Sequence, residues 1–283
     1  MRAVAQRPVW RHWGLLARWG VPVAVAALVG CTSTTTTTTS STSVPQASVV
    51  STGATQVADA NRRAQIRLEL AANYFQAGRL DVAMDEVGQA LAAKPDYADA
   101  YGLLGLILMQ NQDWAQAEVA MSKAVDLNPR DGNQIHNYGW MQCQQKHFDV
   151  AQQWFDRALQ APGYREQPKT LLAKGMCYQQ AGQLEQAYQN MFRAYEMDVG
   201  NAATGYNLAN VLWLKGDLKK AQFYIRRLNN NSNQASAESL WLAIKIDRAL
   251  HDDIGARQQA DQLRERFPQS RQWLAYERGA FNE

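Results

Sequence analysis

Three cysteines and four histidines are the side chains of this 283-residue chain best suited to covalent or metal chemistry. His12, His136, His147 and His251 are scattered along the sequence. His136 stands seven residues before Cys143 on one helical face, with Cys177 a further 34 residues on. A zinc site needs a fourth ligand that this set lacks, so no metal is expected. Cys143 and Cys177 read first as buried thiols; a disulfide between them is the alternative that an oxidising compartment would allow. The sequence holds no GxxxxGK phosphate loop, no HExxH, no GxSxG and no CxxC pair. Hence the reading is of a protein that is not an enzyme and uses no cofactor.

The remaining cysteine stands in a different setting. Residues 1–30 carry Arg2, Arg7, Arg11 and Arg18 and no acid, and end in the apolar run VPVAVAALV at 21–29. Nine residues are too few for a resident membrane helix, which needs about 20. A basic segment, a short apolar run and a small residue before a break mark a cleaved export leader. The tetrapeptide Leu28-Val29-Gly30-Cys31 has the form of a bacterial lipobox, in which the cysteine thiol takes a diacylglyceryl group and the small residue before it fits the peptidase. Acylated Cys31 would hold the chain on a membrane, since three acyl chains exceed the two signals that stable anchoring requires. Thr32, and not Asp, follows the cysteine; the resemblance to Gram-negative lipoproteins, in which Asp there retains the protein in the inner membrane, implies sorting to the periplasmic leaflet of the outer membrane.

Removing the leader also removes the apparent basicity. The whole chain carries +3, but 25 basic and 26 acidic residues remain after Gly30. A near-neutral exported chain excludes nucleic acid as the expected partner. Residues 31–58 are rich in Ser and Thr, with TSTTTTTTSSTS at 32–43, and have no hydrophobic period. They read as a flexible tether spanning on the order of 30 Å.

From residue 64 onward the chain repeats itself every 34 residues. A small residue recurs at Ala83, Ala117, Ala151, Ala187, Ala221 and Ala256. Twelve residues before it stand Ala71, Gly105, Gly139, Gly175 and Ala209, with Ile244 breaking the rule; seven after it stand Ala90, Ala124, Ala158 and Ala194, then Leu228 and Leu263. Small side chains at such spacing let two antiparallel helices approach closely. Ala77-Gly78, Ala181-Gly182 and Lys215-Gly216 mark the turns between paired helices, and Pro95, Pro129 and Pro268 end units. This is the tetratricopeptide signature. It implies an all-α, right-handed superhelical solenoid over 59–283, with repeats at about 64–97, 98–131, 132–165, 168–201, 202–235 and 237–270, and a capping helix at 270–281. Two extra residues within 163–167 shift the frame, so a bend is expected near residue 165.

The repeat spacing sorts the tryptophans. Trp114 and Trp154 fall on second helices at packing positions, whereas Trp140 and Trp213 fall on first helices at steps facing the inner curve. The same lining includes Met109 and Gln110 in the second unit and His136 and Gln144 in the third. It continues through Met176 and Gln179 in the fourth unit and Tyr206 and Asn210 in the fifth. Amides beside aromatic anchors suit an extended or strand-like polypeptide, whose backbone offers donors and acceptors more than charge. Net charge runs from −4 over 59–131 through zero to +3 over 202–283. Lys219, Lys220, Arg226 and Arg227 gather on one second helix and read as a solvated face.

The stretches His136-Asn137-Tyr138-Gly139, Tyr164-Arg165-Glu166, Ser239-Leu240-Trp241-Leu242-Ala243-Ile244 and Leu263-Arg264-Glu265-Arg266-Phe267-Pro268 carry a family resemblance. An exported lipoprotein with six such units resembles the type IV pilus biogenesis and stability lipoproteins, the pilotin family of PilF and PilW. The resemblance implies a partner, the type IV pilus secretin subunit, and a role in its outer-membrane localisation and multimerisation, hence in pilus assembly and twitching motility. It implies no small-molecule substrate. The alternative is another periplasmic scaffold lipoprotein, serving β-barrel assembly or peptidoglycan enzymes.

Overall fold

The computed structural model describes residues 51–281, so the leader, Cys31 and the Ser/Thr run lie outside the described residues. Thirteen helices and no strand are found among the described residues. Twelve of them pair: α1 (Ser51–Gln76) with α2 (Leu80–Ala93), α3 (Ala98–Gln110) with α4 (Trp114–Leu127), and α5 (Gly132–Gln144) with α6 (Phe148–Leu159). The series continues with α7 (Gln167–Gln180) and α8 (Leu184–Met197), α9 (Ala202–Leu214) and α10 (Leu218–Asn229), and α11 (Ala237–Ala249) and α12 (Asp253–Arg266). The last helix, α13 (Arg271–Glu277), packs on α11 and α12. None of these helices is long and apolar enough to cross a membrane.

The local chemistry of each turn between paired helices is the same. Gly78 takes φ +71° after α1, its N–H reaches the Phe75 carbonyl, and the next N–H, that of Arg79, reaches back to Tyr74 at 2.9 Å. This closure of a helix by a left-handed residue recurs at Gln112, Lys146, Gly182, Gly216 and His251. Side-chain caps start several helices: Asp131 accepts from the Asn133 N–H at 2.8 Å, Asn201 from that of Thr204 at 3.0 Å, and Asp252 from that of Gly255 at 2.9 Å.

Packing follows the small residues. Ala83, Ala117, Ala151, Ala187 and Ala221 have no exposed surface, and neither do Ala71 and Ala209 of the partner helices. A methyl group on Gly175 would lie 2.6 Å from Met191 Cγ, and one on Gly105 would collide with Met121, so these glycines let α7 meet α8 and α3 meet α4. Successive first helices (α1, α3, α5, α7, α9, α11) touch one another, whereas no two second helices do. The stack therefore curves with its first helices on the inner side, a superhelical array of the kind the repeats imply.

Two expectations change in detail. Helix α1 begins at Ser51, so its first turns occupy residues assigned above to the tether ending at 58. Extending a helix already anchored by packed Ala64 and Ala71 needs no new nucleus, and no proline follows Pro45 until Pro95. Across the extra residues at 163–167 the stacking continues, with α7 packed on both α5 and α6 like every other first helix on the preceding pair. The terminal helix is shorter than 270–281: it stops at Glu277, Gly279 turns at φ +68°, and Phe281 returns to stack on Trp241, ring centroids 5.4 Å apart.

Candidate protein-binding groove

The inner surface is built from residues of first helices that point away from their own second helix. Met109 lies half-buried and Gln110 exposed at the end of α3, and Trp140 and Gln144 lie half-buried on α5. Met176 and Gln179 on α7, and Tyr206, Asn210 and Trp213 on α9, are likewise half-buried. Met176, Tyr206 and Trp213 rest on the largest apolar cluster, which includes Leu208, Leu212 and Ile225, so their inner edges are held while their outer surfaces stay accessible. Trp140 packs on Phe155, Ala173 and the two cysteines in the same manner. Tyr206 has its phenol pKa raised above the ordinary value by burial and by Glu238. The side-chain oxygen of Gln179 is shielded from solvent and has no hydrogen-bond partner among the described residues. The face thus offers apolar anchors beside the amide side chains of Gln110, Gln144 and Asn210, the mixture an extended backbone can use.

His136 does not belong to this lining. It is 5% exposed, its Nδ1 lies 2.9 Å from Thr170 Oγ1, and its ring sits 5.8 Å from that of Phe155. Burial, with a smaller contribution from Lys169, pushes its pKa down to about 3, so the imidazole is neutral. The cause is the irregular exit at 163–167: Tyr164 turns inward, its hydroxyl 2.7 Å from the same Thr170 oxygen, and its ring covers Gly132, where a methyl group would have no room. His136, Tyr164 and Thr170 form a buried polar joint between the third and fourth repeats.

The cysteines also depart from the first reading. Cys143 and Cys177 are fully buried and bonded to each other, joining α5 to α7 with a Cα–Cα distance of 5.8 Å, within the usual span of a disulfide. Their sulfurs are committed to that bond, and no group of three or more His, Cys, Asp or Glu side chains able to hold a metal is found among the described residues. Trp114 and Trp154 are half-buried, and Trp154 lies on Tyr138 with ring centroids 4.5 Å apart.

Spacing placed a sixth repeat but no inner-face residue on it. Trp241, Lys245 and Arg248 continue the inner register of Tyr206, Asn210 and Trp213, one repeat and one inserted residue later. There the chain covers itself: Trp241 is 7% exposed beneath Phe281, and the Arg248 guanidinium lies 3.8 Å from the Phe281 ring centre. The accessible aromatic lining therefore ends at the fifth repeat, while Lys245 stays half-buried and Arg248 exposed. A separate cleft of about 710 Å³, lined by Tyr101, Leu104, Leu108, Val119 and Tyr138 among others, involves none of the nine inner residues.

Paired helices stacked in one register, with an accessible inner face and no catalytic constellation among the described residues, define a tetratricopeptide-repeat protein. A family model of the tetratricopeptide repeat matches residues 74–138. The chain is homologous to the type IV pilus assembly protein PilF of Pseudomonas aeruginosa, with 24% identity over 219 residues, 77% of this chain and 86% of the relative. Among solved structures it is similar to Pseudomonas aeruginosa PilF, with a TM-score of 0.64, 21% identity, and coverage of 78% of this chain and 99% of that one. It is also similar to PilW, described as a widely conserved type IV pilus biogenesis factor, with a TM-score of 0.68, 24% identity, and coverage of 75% and 97%.

Proposed function

We propose that this chain is a pilotin: a lipoprotein anchored through Cys31 to the periplasmic leaflet of the outer membrane, which binds the type IV pilus secretin subunit and promotes its localisation and multimerisation. The observation that carries the reading is the similarity to PilF, which extends over most of both chains. The inner face supports it. Trp140, Met176, Tyr206 and Trp213 present accessible apolar surface along the array, and the exposed Gln110 with the half-buried Gln144 and Asn210 adds side-chain amides beside them. The pilus and its motility then depend on the delivered secretin, and no chemical step is asked of this chain.

Two variants test the two halves of the reading. Cys31→Ala should lower the abundance of secretin rings in the outer membrane; unchanged rings would refute the anchor. The double variant Trp140→Ala with Trp213→Ala should recover less secretin by co-purification while keeping the helical content of the parent. Undiminished recovery would refute the groove.

A further inference from the structure

Phe223 is the one exposed aromatic side chain among the residues with described side chains; every other Phe, Tyr and Trp there is half-buried or buried. It keeps 59% of its surface open, at the centre of the outward face of α10. That helix carries Lys219, Lys220, Arg226 and Arg227 and no acidic residue. Lys219 lies one helical turn before Phe223 and Arg227 one turn after, so the ring sits between two cations on one stripe.

The four cations are not equivalent. Arg226 is occupied, its guanidinium 2.6 Å from Asp252 and 2.9 Å from the buried Asp247. Lys220 pairs with Asp217 at 3.0 Å, an exposed contact that a stronger anion can replace. Lys219 and Arg227 make no ion pair among the described residues, and the Arg227 guanidinium only rests 6.0 Å from the Tyr195 ring centre. A shallow cleft of about 490 Å³ runs between these side chains, lined also by Gln222 and Asn230.

We propose that this outward face of α10 contacts a membrane surface bearing anionic phospholipid headgroups. The ring enters the boundary between headgroups and acyl chains, while the long stems of Lys219 and Arg227 carry their charges back to the phosphates. Two features favour lipid over an acidic protein. The second helices of the array splay apart on its outer side, so α10 presents a ridge that a planar surface can meet. Phe223 also stands out from that ridge, whereas the aromatic anchor of a protein interface fills a pocket. Each cation near an anionic leaflet contributes roughly fivefold to partitioning, so the contact is weak alone. In a lipid-anchored chain it becomes intramolecular, at an effective concentration in the millimolar range, and suffices to turn the groove away from the bilayer. The inference goes beyond the pilotin reading and is independent of secretin binding.

The test uses the chain from residue 31 onward with Cys31→Ala, which keeps every described helix and carries neither leader nor acyl group. It is sedimented with vesicles of phosphatidylcholine containing one-quarter phosphatidylglycerol, and with phosphatidylcholine alone, at low and at high salt. The expected result is binding to the anionic vesicles only, abolished by high salt, roughly 25-fold weaker in Lys219→Gln with Arg227→Gln, and weakened by Phe223→Ser. Circular dichroism should show both variants folded. No binding to anionic vesicles, equal binding to neutral ones, or variants that bind like the parent would each overturn the proposal. Capture of an acidic protein by this face without any vesicle binding would overturn it in favour of a protein contact.

Discussion

Cys143 and Cys177 stand 34 residues apart in sequence and 5.8 Å apart at their Cα atoms, so one covalent bond spans the joint between the third and fourth repeats. Each joint in a solenoid is otherwise held only by neighbour contacts. Closing a loop of this length constrains the unfolded chain by about 3–4 kcal/mol in the chain-entropy model. Reductant should therefore lower the thermal midpoint of the parent and leave that of Cys143→Ala with Cys177→Ala unchanged. Equal midpoints for oxidised and reduced parent would show that the bond adds no stability.

Two glycines inside helices should respond in opposite directions to the same substitution. In Gly175→Ala the new methyl lies 2.6 Å from Met191 Cγ and 3.0 Å from the Ala187 carbonyl oxygen, so α7 and α8 must separate, at a cost of about 1–3 kcal/mol. Gly88, exposed on α2, has nothing within 4 Å of a methyl, and Gly88→Ala should add about 0.5–1 kcal/mol through backbone entropy. Denaturant unfolding of the two variants measures the difference.

These glycines also mark how far sequence alone reaches. The small-residue frame was legible because one packing constraint recurs six times, and the residues in that frame are buried. Ile244, Leu228 and Leu263 are larger, yet they too are buried in the same register. What broke the period was harder to read. The inward turn of Tyr164 comes from an irregular insertion, and it converts His136 from a groove position into part of a buried joint. The disulfide depends on the offset between two first helices, which spacing within each helix does not define. Phe281 covers Trp241 only because Gly279 reverses the chain after α13. The turns were half legible: Gly78, Gly182 and Gly216 announce the left-handed residue, while Gln112, Lys146 and His251 adopt it with no signal in their side chains.

Those three silent positions are sites for stabilisation. Gln112, Lys146 and His251 hold φ at 62°, 64° and 58°, where an L side chain crowds its own backbone. All three side chains are exposed, so little else is lost on removing them. The strain relieved is about 1–2 kcal/mol and the added entropy of the unfolded glycine about 0.5–1 kcal/mol, leaving a net gain of roughly 0.5–1 kcal/mol per site. Gln112→Gly and Lys146→Gly should each raise the unfolding midpoint, and Gly182→Ala, the reverse change at an equivalent turn, should lower it.

The neutral His136 makes the joint sensitive to acid. Its pKa falls from the ordinary 6.5 to about 3 in the folded chain, chiefly by burial and secondarily through Lys169. Between those two values the unfolded imidazole binds a proton that the folded one does not, so stability rises with pH across that window. The contribution is complete above about pH 6.5 and is lost as pH falls toward 3, by up to about 5 kcal/mol in total. His136→Gln cannot titrate and should lose less stability than the parent between about pH 7 and pH 4. The comparison isolates this group because both chains share every other titrating residue. Parallel stability curves for parent and variant would show that His136 is protonated in the fold and that its bond to Thr170 tolerates the charge.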